Sequence, residues 1–303
     1  MRKPDFFIVG APKCGTTAMY YYLKQHPEIF MPERKELHFF GTDFYSPHFV
    51  RDLQEYLKIF EGADNKKRIG EASVWYLYSK KAALEIKEFN PDADIIIMLR
   101  NPVDMMYSLH SHQVFNGSEK ITNFEEALSY EEDLKKKTSG SGFIERFFYR
   151  EVAKYYNQVK RYLDVFGKEK VHIIIYDDFK AHIDVVYKET LKFLKVDETF
   201  RPDFRVINPN KVVRSRLLRD FLNEPPLIIG KLTRLIFPKS IRTAIRENLK
   251  RLNIKYVPRE PMRPELRKAL LKEFKEEIDR LSELIRRDLS FWYKNDNIDD
   301  FPK

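Results

Sequence analysis

The stretch from Phe6 to Thr17 (Phe-Phe-Ile-Val-Gly-Ala-Pro-Lys-Cys-Gly-Thr-Thr) constrains the fold more than any other part of the chain. An apolar run ends in Gly10, a short lysine-bearing loop follows, and Gly15 leads into a helical pattern over 18–25. A strand, a tight loop and a helix start in this order aim backbone N–H groups and the positive end of the helix dipole at an anion. The stretch therefore predicts a phosphate-bearing ligand.

The loop departs from the one that binds nucleoside triphosphates. In that loop a lysine directly follows the second glycine, and a Ser or Thr then binds magnesium. Here Thr16 follows Gly15, and Lys13 lies two residues before that glycine. An ordinary strand–turn–helix joint has the same outline, so the loop alone leaves the ligand open.

The composition is that of a globular protein that favours anionic partners. The 303 residues are 43% hydrophobic and 33% charged, and their formal net charge is +9. This excess suits nucleotides, sulfated or phosphorylated glycans, acidic lipids or nucleic acid, and does not choose among them. A solvated, lysine-rich surface explains part of the excess.

The cysteine content and the apolar runs indicate the compartment. Cys14 is the single cysteine, so no intrachain disulfide forms, and no Cys/His cluster has the spacing of a zinc site. The first residues do not follow the signal-peptide pattern, and the longest apolar runs are of strand length, too short for a membrane span. We therefore expect a soluble, cytoplasmic protein, with a single domain over 1–303.

Apolar runs alternate with helical periodicity through the first two thirds of the chain. Strands are predicted over 6–9, 68–72, 95–99 and 171–176, and helices over 17–25, 47–60, 80–89, 103–115, 124–135, 144–166 and 185–194. The alternation predicts an α/β fold, in which a P-loop-like parallel sheet has helices on both faces and binds ligands at the carboxyl ends of its strands. The last third is predicted to be helical, because apolar residues recur there at spacings of three and four.

The segment 225–244 mixes apolar and basic side chains. Such a mixture is typical of a peripheral membrane or partner contact. A helix that covers the main core explains it as well, and we favour that interpretation.

A second candidate anion site follows the predicted strand over 95–99. Arg100 comes where the ends of parallel strands form a binding surface, and Pro102 opens a helix. Ser108 lies nearly two turns into that helix. An arginine fork is well suited to a terminal phosphate.

The two sites together, Gly-x-Pro-Lys-x-Gly-Thr-Thr and Arg-x-Pro-x5-Ser, strongly resemble those of the sulfotransferases that use 3′-phosphoadenosine 5′-phosphosulfate. The resemblance implies that the first loop holds the 5′-phosphosulfate and the second site the 3′-phosphate. The residues it assigns to these roles are Lys13, Cys14, Gly15, Thr16 and Thr17 for the first and Arg100 and Ser108 for the second.

Further segments are similar to heparan-type and bacterial carbohydrate sulfotransferases. Lys35-Glu36-Leu37-His38-Phe39-Phe40 resembles a segment of these enzymes, and we expect Lys35, His38 and Phe39 near the acceptor. The run 70–76 resembles their catalytic-base strand, with Glu71 at the base position. The run 149–156 resembles a helix that follows the 3′-phosphate site, which assigns Tyr149 to the cofactor.

The chain departs from heparan-type enzymes in three respects. Ala72 stands where those enzymes usually carry a lysine, and the chain lacks both their cysteine pair and their Lys-Gly-rich cofactor loop near the C-terminus. The segment 208–215 is predicted to replace that loop, with Lys211 and Arg214 as cofactor contacts. These departures concern the acceptor and leave the predicted donor unchanged.

The resemblance implies an in-line displacement in which an acceptor oxygen or nitrogen attacks sulfur and adenosine 3′,5′-bisphosphate leaves. Lys13 is predicted to stabilise the charge on the leaving oxygen, so no metal ion is expected. Glu71 is predicted to be the general base. His112, one helical turn beyond Ser108, is predicted to assist, and the nearby His110 is the alternative.

The acceptor that we favour is a carbohydrate or a glycolipid, and no nucleic-acid partner is expected. Two other functions stay open. A triphosphate-dependent kinase needs a lysine directly after Gly15 and an acidic magnesium ligand, whereas a non-enzymatic binder of nucleic acid or anionic membrane explains the net charge alone. The identity of the acceptor and the oligomeric state are not readable from the sequence.

Overall fold

A five-stranded parallel sheet lies at the centre of the computed structural model, which describes residues 2–136, 143–205, 210–223, 225 and 238–294. Its strands are β1 (Phe6–Gly10), β2 (Ile29–Phe30), β3 (Arg68–Ala72), β4 (Asp94–Leu99) and β5 (Val171–Ile175). Their spatial order is β2-β3-β1-β4-β5, and every neighbouring pair is parallel. Two further strands, β6 (Lys211–Val213) and β7 (Ile254–Tyr256), form a separate antiparallel pair.

Helices flank the sheet. They are α1 (Thr16–Lys24), α2 (Leu53–Lys58), α3 (Ala82–Phe89), α4 (Pro102–Asn116), α5 (Phe124–Lys136), α6 (Tyr149–Ala153), α7 (Tyr155–Phe166), α8 (Tyr176–Ala181), α9 (Ile183–Phe193), α10 (Arg216–Asn223), α11 (Lys239–Leu252), α12 (Pro264–Ile285) and α13 (Phe291–Lys294). Every residue of β1 and β4 is buried, as expected for strands that are covered on both faces. The predicted α/β class is confirmed, and the described part of the last third is mainly helical.

The strand order creates a crevice beside β1. The chain pairs β3 with one edge of β1 and then crosses to place β4 on the other edge. Loops that leave neighbouring strands in opposite directions separate at such a point, which is where open α/β sheets bind their ligands. The backbone N–H of Ala11 donates to the carbonyl of Met98 at 2.7 Å, so the loop after β1 starts directly beside the end of β4.

Local capping determines where helix α4 begins. The side chain of Asn101 accepts a hydrogen bond from the backbone N–H of Val103 at 3.0 Å, and Pro102 occupies the first turn. Both features favour a helix start at this position. Arg100 therefore lies between the end of β4 and the first turn of α4.

Most predicted boundaries lie within two residues of the observed ones, and three of the differences have a structural reason. The helix predicted over 47–60 forms only as α2, because the side chain of Asp52 caps its first turn by accepting from the N–H of Glu55 at 2.8 Å. The helix predicted over 144–166 is divided into a 3-10 turn, α6 and α7, since the backbone leaves the helical region at Phe148 and again at Lys154. Tyr176 begins α8 instead of ending β5.

The described part of segment 225–244 does not form the expected helix that covers the core. Residues 226–237 lie outside the described residues. The remainder begins α11, where Ile241 is 46% exposed and stands apart from the main core. Across the described ranges, no helix combines the length and the apolar character that crossing a membrane requires.

Candidate active site

A cavity of about 770 Å³ opens at the carboxyl ends of β1 and β4. It brings together residues that the sequence placed in four separate segments. The predicted residues that line it are Lys13, Gly15, Thr16, Thr17, Lys35, His38, Arg100, Ser108, His112 and Lys211.

The loop after β1 presents the N-terminus of α1 to this cavity. Gly15 caps the helix with a left-handed backbone (φ 90°), and its carbonyl accepts from the N–H groups of Ala18 and Met19 at 2.9 and 3.1 Å. The first N–H groups of a helix have no acceptor within the helix, so they are available to an anion. A Cβ atom at Gly15 would lie 3.1 Å from the ring of Tyr176, a contact that requires the ring or the loop to shift by a few tenths of an ångström.

Four cationic side chains surround Lys13 at the cavity. Burial lowers the pKa of Lys13, and the charges of Arg259, Lys211, Arg100 and Lys35 lower it further, to about 8. A group of like charges this close is unfavourable without a counter-charge. The electrostatics of the cavity therefore favour a ligand with several negative charges.

Arg100 is held against an aromatic ring that the sequence did not single out. Its guanidinium lies 4.9 Å from the ring centroid of Tyr176, the first residue of α8. Such a contact orients an arginine while leaving its N–H groups free to bind an anion. Tyr176 also lines the cavity, so it borders both Gly15 and Arg100.

Ser108 is joined to an arginine from the far end of the chain. Nη2 of Arg259 donates to the hydroxyl of Ser108 at 3.0 Å and to Oδ1 of Asn210 at 3.3 Å. Within the described part of the chain, Nε of Arg259 is buried and has no hydrogen-bond acceptor. A buried guanidinium with an unused donor indicates a place for an anionic oxygen.

Glu71, the predicted general base, lies outside the cavity. Glu71 is 1% exposed and does not line the cavity. Its carboxylate accepts from the hydroxyls of Tyr56 (2.6 Å), Ser73 (2.6 Å) and Tyr76 (2.9 Å). Burial raises the pKa of Glu71, and these hydrogen bonds only partly oppose the rise. The carboxylate is therefore enclosed by its hydroxyl partners, and its role as the base stays a prediction.

Glu36 supplies a carboxylate that does reach the cavity. Its oxygens contact Nζ of Lys35 and Nε2 of His38, the latter at 3.1 Å, and the N–H of Val74 donates to it at 3.0 Å. Burial alone raises the pKa of Glu36, but the charge of Lys35 and the hydrogen bond from His38 outweigh it and hold the pKa below its usual range. Glu36 is thus an ionised carboxylate beside Lys35 and His38.

The two candidate histidines of α4 are separated by the structure. His112 lines the cavity, and the amide of Asn116 donates to its Nε2 at 3.0 Å. Burial lowers the pKa of His112, and the charges of Lys13 and Lys211 lower it further, to about 3. His110 instead lies buried, with its Nε2 2.9 Å from the carbonyl of Ile121.

Four other predicted site residues lie away from the cavity. The buried thiol of Cys14 faces the carbonyl of Pro12 at 3.4 Å. Tyr149 is buried, with its hydroxyl bound to Glu119 at 2.9 Å.

The other two are an aromatic and a basic side chain. The ring of Phe39 stacks on Tyr56 with a centroid separation of 4.1 Å. The exposed side chain of Arg214 bonds to the carbonyl of Ile254 at 3.3 Å. None of these four side chains lines the cavity: three pack into the interior, and Arg214 is exposed at the surface. Their assignment to the cofactor or the acceptor stays a prediction.

Sequence reasoning missed several cavity residues, three of them for different reasons. Tyr176 directly follows a strand, and the rule that selected Arg100 applies to it equally. Glu36 belongs to the segment 35–40 that resembles the family, but nothing in the sequence favoured it over Glu71 as the base. Arg259 is 151 residues from Ser108, and no spacing in the sequence signals that contact.

The described residues contain no group of three or more His, Cys, Asp or Glu side chains that could hold a metal ion. The expectation that no metal is needed stays a prediction.

Comparisons of the sequence and of the structure with known proteins point to the same family. A model of the sulfotransferase domain matches residues 3–287. The crystal structure of a sulfotransferase from Alicyclobacillus acidocaldarius is 32% identical and superposes with a TM-score of 0.74 over 96% of this chain and 99% of that one. Whether the whole of 1–303 forms a single domain stays a prediction.

Curated relatives are more distant and longer. Mouse carbohydrate sulfotransferase 15 is 25% identical over 289 residues, and human bifunctional heparan sulfate N-deacetylase/N-sulfotransferase 2 is 31% identical over 126 residues. The matches cover 72% and 41% of this chain, and 51% and 14% of those proteins. The match to the membrane-associated sulfotransferase kil1 of Dictyostelium discoideum covers 59% of that protein. The chain therefore spans between half and three fifths of the length of kil1 and of carbohydrate sulfotransferase 15. On the domain match over nearly its full length, supported by the structural match at 32% identity, this chain belongs to the sulfotransferase domain family.

Proposed function

We propose that this protein transfers a sulfuryl group from 3′-phosphoadenosine 5′-phosphosulfate to a hydroxyl or amine of a carbohydrate or glycolipid. One observation carries the proposal. The loop after β1 and the group formed by Arg100, Ser108 and Arg259 present two sets of anion-binding donors to the same cavity. A nucleotide with phosphates at both its 3′ and 5′ positions matches that arrangement.

The residues present fit such a nucleotide. Lys13, Thr16 and Thr17, with the backbone N–H groups at the start of α1, would hold the 5′-phosphosulfate. Arg100, Ser108 and Arg259 would hold the 3′-phosphate, which would give the buried Nε of Arg259 an acceptor. The depressed pKa of Lys13 supports the same conclusion, because bound negative charge relieves the repulsion among the cations around it.

When bound, the donor supplies the sulfuryl group for an in-line displacement. The protein contributes position and charge, as in phosphoryl transfer. The ammonium of Lys13 and the N–H groups of the loop stabilise negative charge at the donor end of the cavity. Glu36 accepts the proton of the acceptor group, and His38 and Lys35 orient its carboxylate. The neutral ring of His112 is available to orient the acceptor by a hydrogen bond.

The acceptor half of the cavity suits a sugar. Trp75 and Phe143 line it and meet edge to face at a centroid distance of 4.8 Å. These apolar rings, with Arg146, which also lines the cavity, give it the mixed apolar and polar wall that a sugar acceptor needs. The named activities of the carbohydrate and heparan sulfate relatives support the same class of acceptor.

Calorimetry with adenosine 3′,5′-bisphosphate and with ATP tests the donor site. We expect binding of the bisphosphate and weak or no binding of ATP, because the two sets of donors are matched to separate phosphates. A transfer assay with labelled donor against glycans, glycolipids and small alcohols then tests the reaction. A preference for ATP, or bisphosphate binding without transfer to any glycan or glycolipid, would overturn the donor or the acceptor assignment respectively.

A further inference from the structure

Exposed apolar side chains are concentrated in one part of the molecule. Among the described residues, eight of the fourteen large exposed apolar side chains fall between 212 and 256. They are Val212, Leu217, Phe221, Ile241, Ile245, Leu249, Leu252 and Tyr256. Scattered exposed apolar residues need no explanation, but a concentration of this kind marks an interaction surface.

Helix α11 carries half of these side chains on one face. Ile241, Ile245, Leu249 and Leu252 fall within an arc of about 80° on a helix of 3.6 residues per turn. Ile245 is 47% exposed and Leu252 is 70% exposed, so the described chain leaves this face accessible. An amphipathic helix in a globular protein normally turns its apolar face to the core. Here the apolar face is directed outward.

The rest of α11 is strongly basic. The helix contains five Lys or Arg residues and one acidic residue, Glu247. Arg242, Arg246 and Lys250 follow the apolar arc along one side of the helix, and Arg251 lies further round. Apolar residues on one face and Lys or Arg on the other are the pattern of helices that lie in the interface of an anionic membrane.

The β6–β7 pair connects this surface to the cavity. Strand β6 precedes α10, strand β7 follows α11, and the two strands pair with Lys211 opposite Tyr256. The side chain of Asn253 accepts from the N–H of Ser215 and donates to its carbonyl, both at 2.8 Å. Lys211 also lines the cavity. The helices that would contact a membrane and part of the cavity wall therefore belong to one connected substructure.

We propose that the apolar face of α11, with Leu217 and Phe221 of α10, docks on an anionic lipid surface. Complementary charge selects this occupant: the basic side of the helix suits phosphate headgroups, while the apolar face inserts between them. Because Lys211 of the β6–β7 pair also lines the cavity, docking would hold the cavity close to the lipid surface. The docking itself does not depend on the proposed transfer reaction.

Vesicle flotation of the full chain tests the proposal. We expect the protein to associate with vesicles of phosphatidylcholine and phosphatidylglycerol, to associate far less with phosphatidylcholine alone, and to be released as salt rises. The double substitution Ile245→Ser/Leu249→Ser should reduce association roughly tenfold or more, because two inserted apolar side chains are lost. Arg251→Gln should reduce it about fivefold.

Matched controls remove similar groups elsewhere. Leu84→Ser/Val185→Ser deletes two exposed apolar side chains outside this surface, and Lys188→Gln removes one exposed charge. Both control proteins should float like the unaltered chain, and all variants should bind adenosine 3′,5′-bisphosphate as before, which shows that they are folded.

Three results would overturn the proposal. One is equal flotation with neutral and anionic vesicles or with neither. Another is full association of the Ile245→Ser/Leu249→Ser protein. The third is a different occupant: a dimer in solution that the same double substitution dissociates, or salt-sensitive binding of DNA in place of vesicles.

Discussion

The guanidinium of Arg259 donates a hydrogen bond to the hydroxyl of Ser108 at 3.0 Å, and so joins the segment after β7 to helix α4. Ser108 is 3% exposed and lines the cavity together with Arg259, so the contact forms part of the cavity wall. Arg259 is therefore placed to share a bound anion with this serine and with Arg100.

Arg259→Gln should weaken the binding of adenosine 3′,5′-bisphosphate about ten- to hundredfold, since charge-assisted hydrogen bonds contribute roughly 1.5–3 kcal/mol. Calorimetry measures the change. Arg214→Gln is the matched control, because Arg214 was predicted to touch the cofactor but lies outside the cavity. Equal losses in the two proteins would show that general positive charge, and not the contact with Ser108, determines affinity.

The two carboxylates near the end of β3 should have separable roles. Glu36→Gln should lower kcat about 10²- to 10⁴-fold, the usual contribution of a general base, while nucleotide affinity stays near that of the unaltered protein. Initial rates of sulfuryl transfer give kcat, and calorimetry on the same preparation gives the nucleotide affinity.

Glu71→Gln should act mainly on stability. The amide has only one oxygen to accept the three hydroxyls of Tyr56, Ser73 and Tyr76, so at least one buried donor loses its partner. We expect a loss of about 1–3 kcal/mol in the free energy of unfolding. Denaturant titration measures this loss. A protein with Glu71→Gln that is fully stable yet inactive would restore Glu71 as the base and remove Glu36 from that role.

Nucleotide affinity should fall at alkaline pH because of Lys13. In the free protein its pKa is lowered to about 8, whereas a bound anion favours the charged form and raises it again. Binding therefore takes up a proton above about pH 8, and affinity is expected to be flat below that pH and to drop up to tenfold per unit above it.

Lys13→Arg is the informative variant for this dependence. An arginine keeps its charge throughout the range, so the alkaline loss of affinity should disappear even where overall affinity changes. Calorimetry of adenosine 3′,5′-bisphosphate at a series of pH values tests both proteins. An identical alkaline decline in the Lys13→Arg protein would assign the titration to another group.

The parts of the site that could be predicted from the sequence are those that follow strand ends. Lys13 and Arg100 come directly after buried strands, and neighbouring parallel strands place such residues at one edge of the sheet. The sequence prediction places the base at Glu71 and our proposal places it at Glu36, because both residues approach the same end of β3, where the N–H of Glu36 donates to the carbonyl of Ala72 at 2.9 Å. Which of the two carboxylates faces the cavity depends on the side-chain directions in the folded chain, which the sequence pattern does not give.

Contacts between distant segments were not predictable in the same way. The pairing of Arg259 with Ser108 depends on the β6–β7 pair, whose three-residue strands are too short to show alternation in the sequence. The outward apolar face of α11 was missed for a related reason. Periodicity identifies an apolar face but does not state what covers it.

Gly15→Ala should abolish or severely weaken nucleotide binding, and Gly62→Ala is its matched control. Both glycines have a left-handed backbone, with φ of 90° and 88°, so each substitution should cost about 1–2 kcal/mol of stability. A Cβ at Gly15 would also lie 3.1 Å from the ring of Tyr176, whereas a Cβ at Gly62 would meet nothing within 4 Å. The Gly15→Ala protein must therefore shift the loop or Tyr176, the partner of Arg100, by a few tenths of an ångström. We expect an unfolding midpoint somewhat below that of the Gly62→Ala protein, and loss of calorimetric binding only in the Gly15→Ala protein. Unchanged affinity in the Gly15→Ala protein would mean that the start of α1 does not contact the nucleotide.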